Sequence, residues 1–132
     1  MPNHVLLIVE DDSDVRDALS YLLRSEGYEA ICACDGQEAL DALARGVRPC
    51  LILLDMMMPG LNGEDFRRIQ LAHPVWRDFP VALYTGDGHA PQKARRLGVP
   101  LWFMKPLEVD DLLHAVGAYC DRHAGGDSSP ET

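Results

Sequence analysis

The sequence predicts a single α/β domain in which helices cover both faces of a parallel β-sheet. Five short apolar runs alternate with five segments of helical periodicity, the pattern produced by successive strand–helix–strand units. The runs are apolar throughout, as expected of strands that are buried on both faces. The length of 132 residues, of which 47% are hydrophobic, suits one domain with a substantial core.

The first half of the chain contains three predicted strands and two predicted helices. The run VLLIV consists of β-forming residues and gives strand 1. Apolar residues then recur at helical spacing after Ser13, a residue type that caps helices, and Gly27 fits the position just beyond the helix end. The predicted bounds are 5–9 for strand 1, 14–24 for helix 1, 28–34 for strand 2, 37–45 for helix 2 and 50–54 for strand 3.

The second half continues the same alternation. Strand 4 begins at Pro80, and proline is tolerated at the first position of a strand. Helix 4 begins at Pro91, since proline favours the first turn of a helix. Helix 5 keeps its apolar residues in register over its whole length. The predicted bounds are 63–72 for helix 3, 80–84 for strand 4, 91–97 for helix 4, 101–104 for strand 5 and 108–122 for helix 5.

These elements place the domain at residues 4–122. The remaining residues, 123–132, are mostly small and polar and contain Gly and Pro, so we expect a disordered tail or the start of a linker. The net charge of −9 argues against direct nucleic-acid binding, because phosphate contacts need clustered Lys and Arg.

Location and redox state are predicted from what the sequence lacks. No apolar run has membrane-spanning length, and the N-terminal stretch has no basic region of a signal peptide, so we expect a cytoplasmic protein without membrane contact. We expect all four cysteines to be reduced, because they show no disulfide-framework spacing. We expect Cys32 and Cys34 to pack within the sheet and not to bind metal. The cysteines are Cys32, Cys34, Cys50 and Cys120.

Polar residues stand at the ends of four predicted strands. In a flavodoxin-like, doubly wound sheet of order 2-1-3-4-5, the C-terminal ends of strands 1 and 3 are neighbours where the strand order reverses, and ligands bind there. The aspartates that follow strands 1 and 3 would therefore lie together, with a hydroxyl and an amine beside them. The residues are Glu10, Asp11 and Asp12 after strand 1, Asp55 after strand 3, Thr85 after strand 4 and Lys105 after strand 5.

Three carboxylates in one pocket repel each other. Each pair at about 4 Å costs on the order of 4 kcal/mol at an effective dielectric near 20. Lys105 offsets part of this, and Mg²⁺ suits a site of a few carboxylates that keeps several waters. A carboxylate beside a metal, a lysine and a hydroxyl can accept a phosphoryl group, since aspartate is a known covalent acceptor of phosphate.

Four stretches carry a resemblance to a known family. They are LLIVEDD (6–12), LILLDMMMPGLNG (51–63), VALYTG (81–86) and FMKP (103–106). Together, in this order and spacing, they resemble the CheY-like receiver domain of two-component response regulators. The resemblance covers about residues 4–122.

The resemblance implies a metal site and a phosphorylation site. Asp55 would be the phosphorylated residue. Asp11 and Asp12 would hold Mg²⁺ together with Asp55 and the main-chain carbonyl of Met57.

It also implies roles for residues on the later strands. Thr85 would hydrogen-bond the phosphoryl group, and Lys105 would pair with it. The Lys105–Pro106 peptide bond would be cis. Trp102 stands where the family often has Tyr or Phe, an aromatic residue that swings inward on activation, so Thr85 and Trp102 are the expected switch residues.

The implied function is a signalling switch and not an enzyme. A histidine kinase or histidine phosphotransfer protein would donate the phosphoryl group. The face built from helix 4, strand 5 and helix 5 would change and be read by a downstream protein or output domain, and a homodimer could form through the same face.

Each residue also has a plainer interpretation. Asp55 could be a turn residue, and Asp11 and Asp12 could cap helix 1. Thr85 could be a loop hydroxyl, Lys105 a surface lysine and Trp102 core filler. The plainer interpretations do not require the structure to bring these residues together, whereas the phosphorylation site does.

Three other function classes are weighed against the switch. The first is a protein-docking module that has the receiver-like fold but takes no phosphate. A haloacid-dehalogenase-type hydrolase needs a second acid two residues after its nucleophile, where this chain has Met57. A nucleotide or flavin binder needs a Gly-rich loop after strand 1, where the acidic EDDSD would repel phosphate.

Overall fold

The computed structural model describes residues 5–56, 60–86 and 88–121. The predicted tail at 123–132, both ends of the predicted domain, and Met57 lie outside the described residues. The strands form one sheet of order β2-β1-β3-β4-β5, all neighbours parallel, which confirms the predicted fold class. The elements are β1 Val5–Val9, α1 Ser13–Ser25, β2 Glu29–Ala33, α2 Gly36–Ala44, β3 Leu51–Asp55, α3 Gly63–Ala72, a 3₁₀ turn Trp76–Asp78, β4 Val81–Thr85, α4 Ala90–Leu97, β5 Leu101–Met104, α5 Val109–Val116 and a π-helical turn Gly117–Asp121.

The sheet separates two apolar cores. Successive side chains of β1 point to opposite faces. Leu7 packs in the core beneath α2, α3 and α4, whereas Leu6 packs in the core beneath α1 and α5. Both side chains have no exposed surface. The helices are thus divided between the two faces, as a doubly wound fold requires.

The prediction that the strands are buried on both faces holds for the three central strands, β1, β3 and β4, but is wrong for the two edge strands, β2 and β5. All residues of β3 and β4 are buried, while residues of β5 alternate between partly buried and exposed. Trp102 and Met104 are 42% and 41% exposed. Cys32 on the other edge strand, β2, is also exposed, which corrects its expected packing within the sheet. An edge strand has a neighbour on one side only, so helices cover it less completely.

A buried polar network joins α3 to α4. Nε of Arg67 donates to the carbonyl oxygen of Leu97 at 3.1 Å, and Nη2 donates to that of Gly98 at 2.8 Å. Nη1 donates to Oε1 of Gln70, and Nε2 of Gln70 donates to two carbonyl oxygens of the segment before β4. The guanidinium therefore binds carbonyls at the C-terminal end of α4, where a cation is favoured by the helix dipole.

Two glycines allow the segment after β3 to pack closely. A Cβ on Gly36, at the start of α2, would lie 2.6 Å from the carbonyl oxygen of Leu61. A Cβ on Gly63, at the start of α3, would lie 2.9 Å from the carbonyl oxygen of Asp55 and 2.9 Å from Sδ of Met56. The end of β3 thus rests directly on the first turn of α3.

Cys50 and Cys120 form a disulfide, so the expectation of four reduced cysteines is wrong for this pair. Their Cα atoms are 5.3 Å apart although the residues are 70 positions apart in sequence. The fold brings the start of β3 beside the chain that follows α5, a proximity that cysteine spacing alone does not reveal. Cys32 and Cys34 are free thiols.

Among the helices of the described segments, none has the length and apolarity to cross a bilayer.

We predict that Gly63→Ala lowers the free energy of unfolding by about 1–3 kcal/mol, because the added methyl group has no room and the chain must shift. Urea denaturation measures this. Gly88→Ala is the matched control, since a Cβ there meets nothing within 4 Å. A Gly63→Ala protein as stable as the wild type would contradict the close packing of Gly63 against the end of β3.

We predict that reducing the Cys50–Cys120 disulfide lowers the free energy of unfolding by about 4 kcal/mol in the chain-entropy model, because the bond closes a 70-residue separation. Urea denaturation with and without dithiothreitol measures the effect. Cys50→Ser is the control, since its stability should not respond to the reductant. A wild-type protein that is equally insensitive would show that the bond is absent in solution.

Candidate functional site

Backbone hydrogen bonds hold the C-terminal ends of the strands together. The amide of Met56 donates to the carbonyl oxygen of Tyr84 at 3.2 Å, just beyond the end of β3. The amide of Lys105 donates to the carbonyl oxygen of Thr85 at 2.9 Å, just beyond the end of β5. The sheet itself therefore places the residues at the C-terminal ends of β3 and β5.

Three carboxylates converge at this edge. Glu10, Asp11 and Asp55 each offer an oxygen, and the three oxygens lie within 4.8 Å of one another. Glu10 and Asp55 are buried, and Asp11 is exposed. Oε1 of Glu10 is buried and accepts no hydrogen bond from the described residues. An all-oxygen, multiply negative donor set of this kind fits a hard divalent cation such as Mg²⁺.

Asp55 itself has no exposed surface. The exposed member of the cluster is Asp11, so the site meets solvent on the side of the β1–α1 loop.

Glu10 titrates far from its ordinary range. Burial raises its pKa from 4.5 to about 7, and the charge of Asp55 acts in the same direction. The amide of Asp12, which donates to Oε2 of Glu10 at 3.1 Å, opposes the rise. The carboxylate of Glu10 is thus costly to ionise without a cation beside it.

Sequence reasoning passed over Glu10 as a ligand and named Asp12. In the structure Oδ1 of Asp12 accepts the amides of Asp14 and Val15, at 2.9 and 3.3 Å, and so caps α1 in place of the predicted Ser13. The signal that would have identified Glu10 is the register of β1 against β3. Val9 lies opposite Leu54, so the next residues, Glu10 and Asp55, are level with each other.

Lys105 supplies the positive charge of the site. Its Nζ lies 3.3 Å from Oδ1 of Asp55 and 4.7 Å from the ring centre of Tyr84. Burial alone would lower the pKa of Lys105, but the charges of Asp55 and Glu10 outweigh it and the pKa is raised. The amine therefore stays protonated beside the carboxylates.

The remaining predicted site residues lie at the end of β4, on or just after β5, or outside the described residues. Thr85 is fully buried as the last residue of β4, next to Tyr84, which pairs with Asp55. The Lys105–Pro106 peptide bond is cis, as predicted. Trp102 is exposed on β5, on the face opposite Leu101 and Phe103, and is not core filler. Met57, the predicted carbonyl ligand, lies outside the described residues.

Comparison with known proteins agrees with this geometry. The family model "Response regulator receiver domain" matches residues 6–117. The chain is 34% identical over 120 residues to "Sporulation initiation phosphotransferase F" of Bacillus subtilis, covering 90% of this chain and 95% of that protein. It is 33% identical over 120 residues to "DNA-binding response regulator MtrA" of Mycobacterium tuberculosis, covering 89% of this chain but only 51% of that protein.

Solved structures show the same fold. A response regulator receiver protein from Pseudomonas putida superimposes with a TM-score of 0.82 at 27% identity, covering 89% of this chain and 98% of that one. A putative response regulator from Chloroflexus aurantiacus gives a TM-score of 0.81 at 31% identity, covering 89% and 97%. Because the family match spans most of the chain, we conclude that this protein belongs to the receiver-domain family of two-component response regulators, the regulatory domains of phosphorylation-controlled signalling.

Proposed function

We propose that this domain is a phosphorylation switch in which Asp55 accepts a phosphoryl group from a phosphohistidine. The donor is a histidine kinase or a histidine phosphotransfer protein. The observation that carries the proposal is the contact of Lys105 Nζ with Asp55 Oδ1, 3.3 Å apart, beside two further carboxylates. A plain turn aspartate does not need a buried position within such a charge cluster.

Glu10, Asp11 and Asp55 are the residues of the described chain that would hold Mg²⁺. The bound ion would supply positive charge to the oxygens of the transferring phosphoryl group. The sequence-derived ligand Asp12 caps α1, so we assign its place to Glu10. The main-chain carbonyl of Met57 remains a proposed further ligand.

The chemical step is an in-line displacement at phosphorus. A carboxylate oxygen of Asp55 attacks the phosphorus atom, an O–P bond forms, and the N–P bond of the phosphohistidine breaks. The electron pair of the broken bond stays on the imidazole nitrogen of the donor. A ring that is protonated at its other nitrogen leaves as neutral imidazole, whereas an unprotonated ring leaves as imidazolate and takes up a proton. Lys105 stabilises the negative charge on the transferring oxygens, and the hydroxyl of Thr85 donates to one of them after transfer.

The output surface is proposed to be the face of α4, β5 and α5. Lys105 directly follows β5, and its amide donates a hydrogen bond to the carbonyl oxygen of Thr85. A change at the site can therefore act on this strand. Trp102 and Met104 expose apolar surface on β5, which suits contact with a protein partner. A downstream protein, an output domain or a second copy of the chain would read this face.

The relatives differ in what accompanies the domain. The phosphotransferase of Bacillus subtilis is nearly covered by this chain, whereas the chain spans about half the length of MtrA, named as DNA-binding. We therefore place any DNA binding outside this domain and propose that the domain acts through protein contacts, without nucleic acid or membrane, in the cytoplasm.

We predict that the wild-type protein, incubated with Mg²⁺ and acetyl phosphate, gains the mass of one phosphoryl group and that Asp55→Asn does not. Intact-mass spectrometry measures this, with chelation of Mg²⁺ as a second control. An adduct retained by Asp55→Asn would contradict the assignment of Asp55. No adduct on the wild type, together with no Mg²⁺-dependent binding of beryllofluoride, would favour a docking module that takes no phosphate.

The raised pKa of Glu10 predicts a pH dependence of stability. The folded protein holds this proton up to about pH 7, whereas the unfolded chain loses it near 4.5. In the absence of Mg²⁺, the contribution of Glu10 to stability is therefore fully present below pH 4.5 and is lost as the pH rises through about 7. Urea denaturation of the wild type and Glu10→Gln across this range isolates the contribution, since the variant lacks it.

The same proton competes with the metal. Mg²⁺ must displace it, so Mg²⁺ affinity should rise with pH up to about 7 and then level off. Titration calorimetry measures the affinity. An affinity independent of pH between about 6 and 8, which spans roughly one unit on either side of the pKa of Glu10, would contradict a role of Glu10 in the metal site.

A further inference from the structure

Arg16 lies in the first turns of α1, and its side chain turns back over the loop that joins β1 to α1. Nη1 donates to the carbonyl oxygen of Glu10 at 2.9 Å and to that of Asp11 at 3.2 Å. These are the two residues whose carboxylates, with that of Asp55, form the acidic cluster. One guanidinium nitrogen thus binds the backbone of two of the three residues in the acidic cluster.

We propose that Arg16 is a positioning residue for the metal site, which fixes the peptide groups of Glu10 and Asp11 so that their carboxylates converge on one cation. The inference rests on the proposed function, because it concerns the same cation. It deepens that function by assigning the geometry of the acidic loop to a residue outside the ligand set.

The need for such a residue follows from repulsion. Glu10, Asp11 and Asp55 would separate if the loop were loose, since rotation of its peptide units moves the first two side chains away from the third. Charge-assisted hydrogen bonds from Arg16 oppose that rotation. The amide of Glu10, which donates to the carbonyl oxygen of Ala33 at 3.0 Å, fixes the loop from its other end.

The choice of backbone acceptors is important. The hydrogen bonds of the Arg16 guanidinium within the described chain go to carbonyl oxygens and not to carboxylates. An arginine paired with the carboxylates would occupy the oxygens that a metal needs. Arg16 instead orders the loop while the carboxylates of Glu10 and Asp11 remain directed at the cluster.

The direction in which Mg²⁺ affinity changes when Arg16 is removed distinguishes a positioning role from a purely electrostatic one. If Arg16 acted only as a nearby positive charge, its removal would strengthen Mg²⁺ binding, because one repelling cation would be gone. If Arg16 positions the loop, its removal weakens Mg²⁺ binding. The two accounts therefore predict opposite changes in one measured quantity.

The test compares Arg16→Met with Arg24→Met. Arg24 lies on the same helix, and its Nη2 donates to the carbonyl oxygen of Ala30 at 3.0 Å, away from the cluster. The two variants thus lose the same charge and the same kind of bond. Titration calorimetry with Mg²⁺ above pH 7 should show about tenfold weaker binding by Arg16→Met, as for other residues that orient metal ligands, and wild-type binding by Arg24→Met.

Phosphorylation by acetyl phosphate provides a second readout. The Mg²⁺ concentration for half-maximal rate should rise in Arg16→Met, while the rate at saturating Mg²⁺ stays near that of the wild type. Arg16→Lys, which keeps a cationic donor, should recover part of the Mg²⁺ affinity. A purely structural defect would lower the saturated rate and would not be rescued in this way.

The outcomes separate the two proposals. A wild type that binds no Mg²⁺ and takes no phosphoryl group overturns the proposed function and this inference with it. A functional wild type with Arg16→Met binding Mg²⁺ equally or more tightly overturns the role of Arg16 alone. Loss of Mg²⁺ affinity that merely follows a loss of folding in circular dichroism, with no recovery in Arg16→Lys, also overturns it.

Discussion

Mutual repulsion of three carboxylates is the constraint on which the rest of this structure depends. Their oxygens lie within 4.8 Å of one another at the edge of an apolar sheet. Charges are screened less there than in water. Lys105 offsets one charge, and a proton on Glu10 or a divalent cation offsets more. The fold must therefore hold together a group of side chains that would otherwise separate, and it does so through the backbone.

The sheet provides that backbone rigidity. Val9 and Leu54 pair across β1 and β3, which sets Glu10 level with Asp55. Both strands are buried on both faces, so neither can slide without exposing a core residue. Behind Asp55 the chain rests on Gly63, where no side chain fits. The apolar cores and the acidic site are thus two consequences of one strand register.

The sequence predicted the parts that follow from periodicity and failed where distant residues meet. Apolar runs located all five strands, and the bounds of the first four helices agree with the predicted ones to within one residue. The prediction for helix 5 was too long, because α5 ends at Val116 and continues as a π-helical turn. The partners Lys105 and Asp55 were grouped correctly because parallel strands end at one edge. Glu10 was passed over because register cannot be seen in a single strand. The Cys50–Cys120 disulfide and the buried Arg67 network were missed, since both join segments far apart in the chain.

Charge balance orders the events at the proposed switch. Without a metal, burial and the charge of Asp55 already hold a proton on Glu10 up to about pH 7, so the site tolerates little further negative charge. A phosphoryl group on Asp55 would add about two negative charges in the same place. In the proposed switch, a divalent cation that displaced this proton and joined Lys105 in neutralising the cluster would stabilise that added charge. The proposed order is therefore metal first and phosphoryl group second, and both steps would depend on the geometry of the acidic loop.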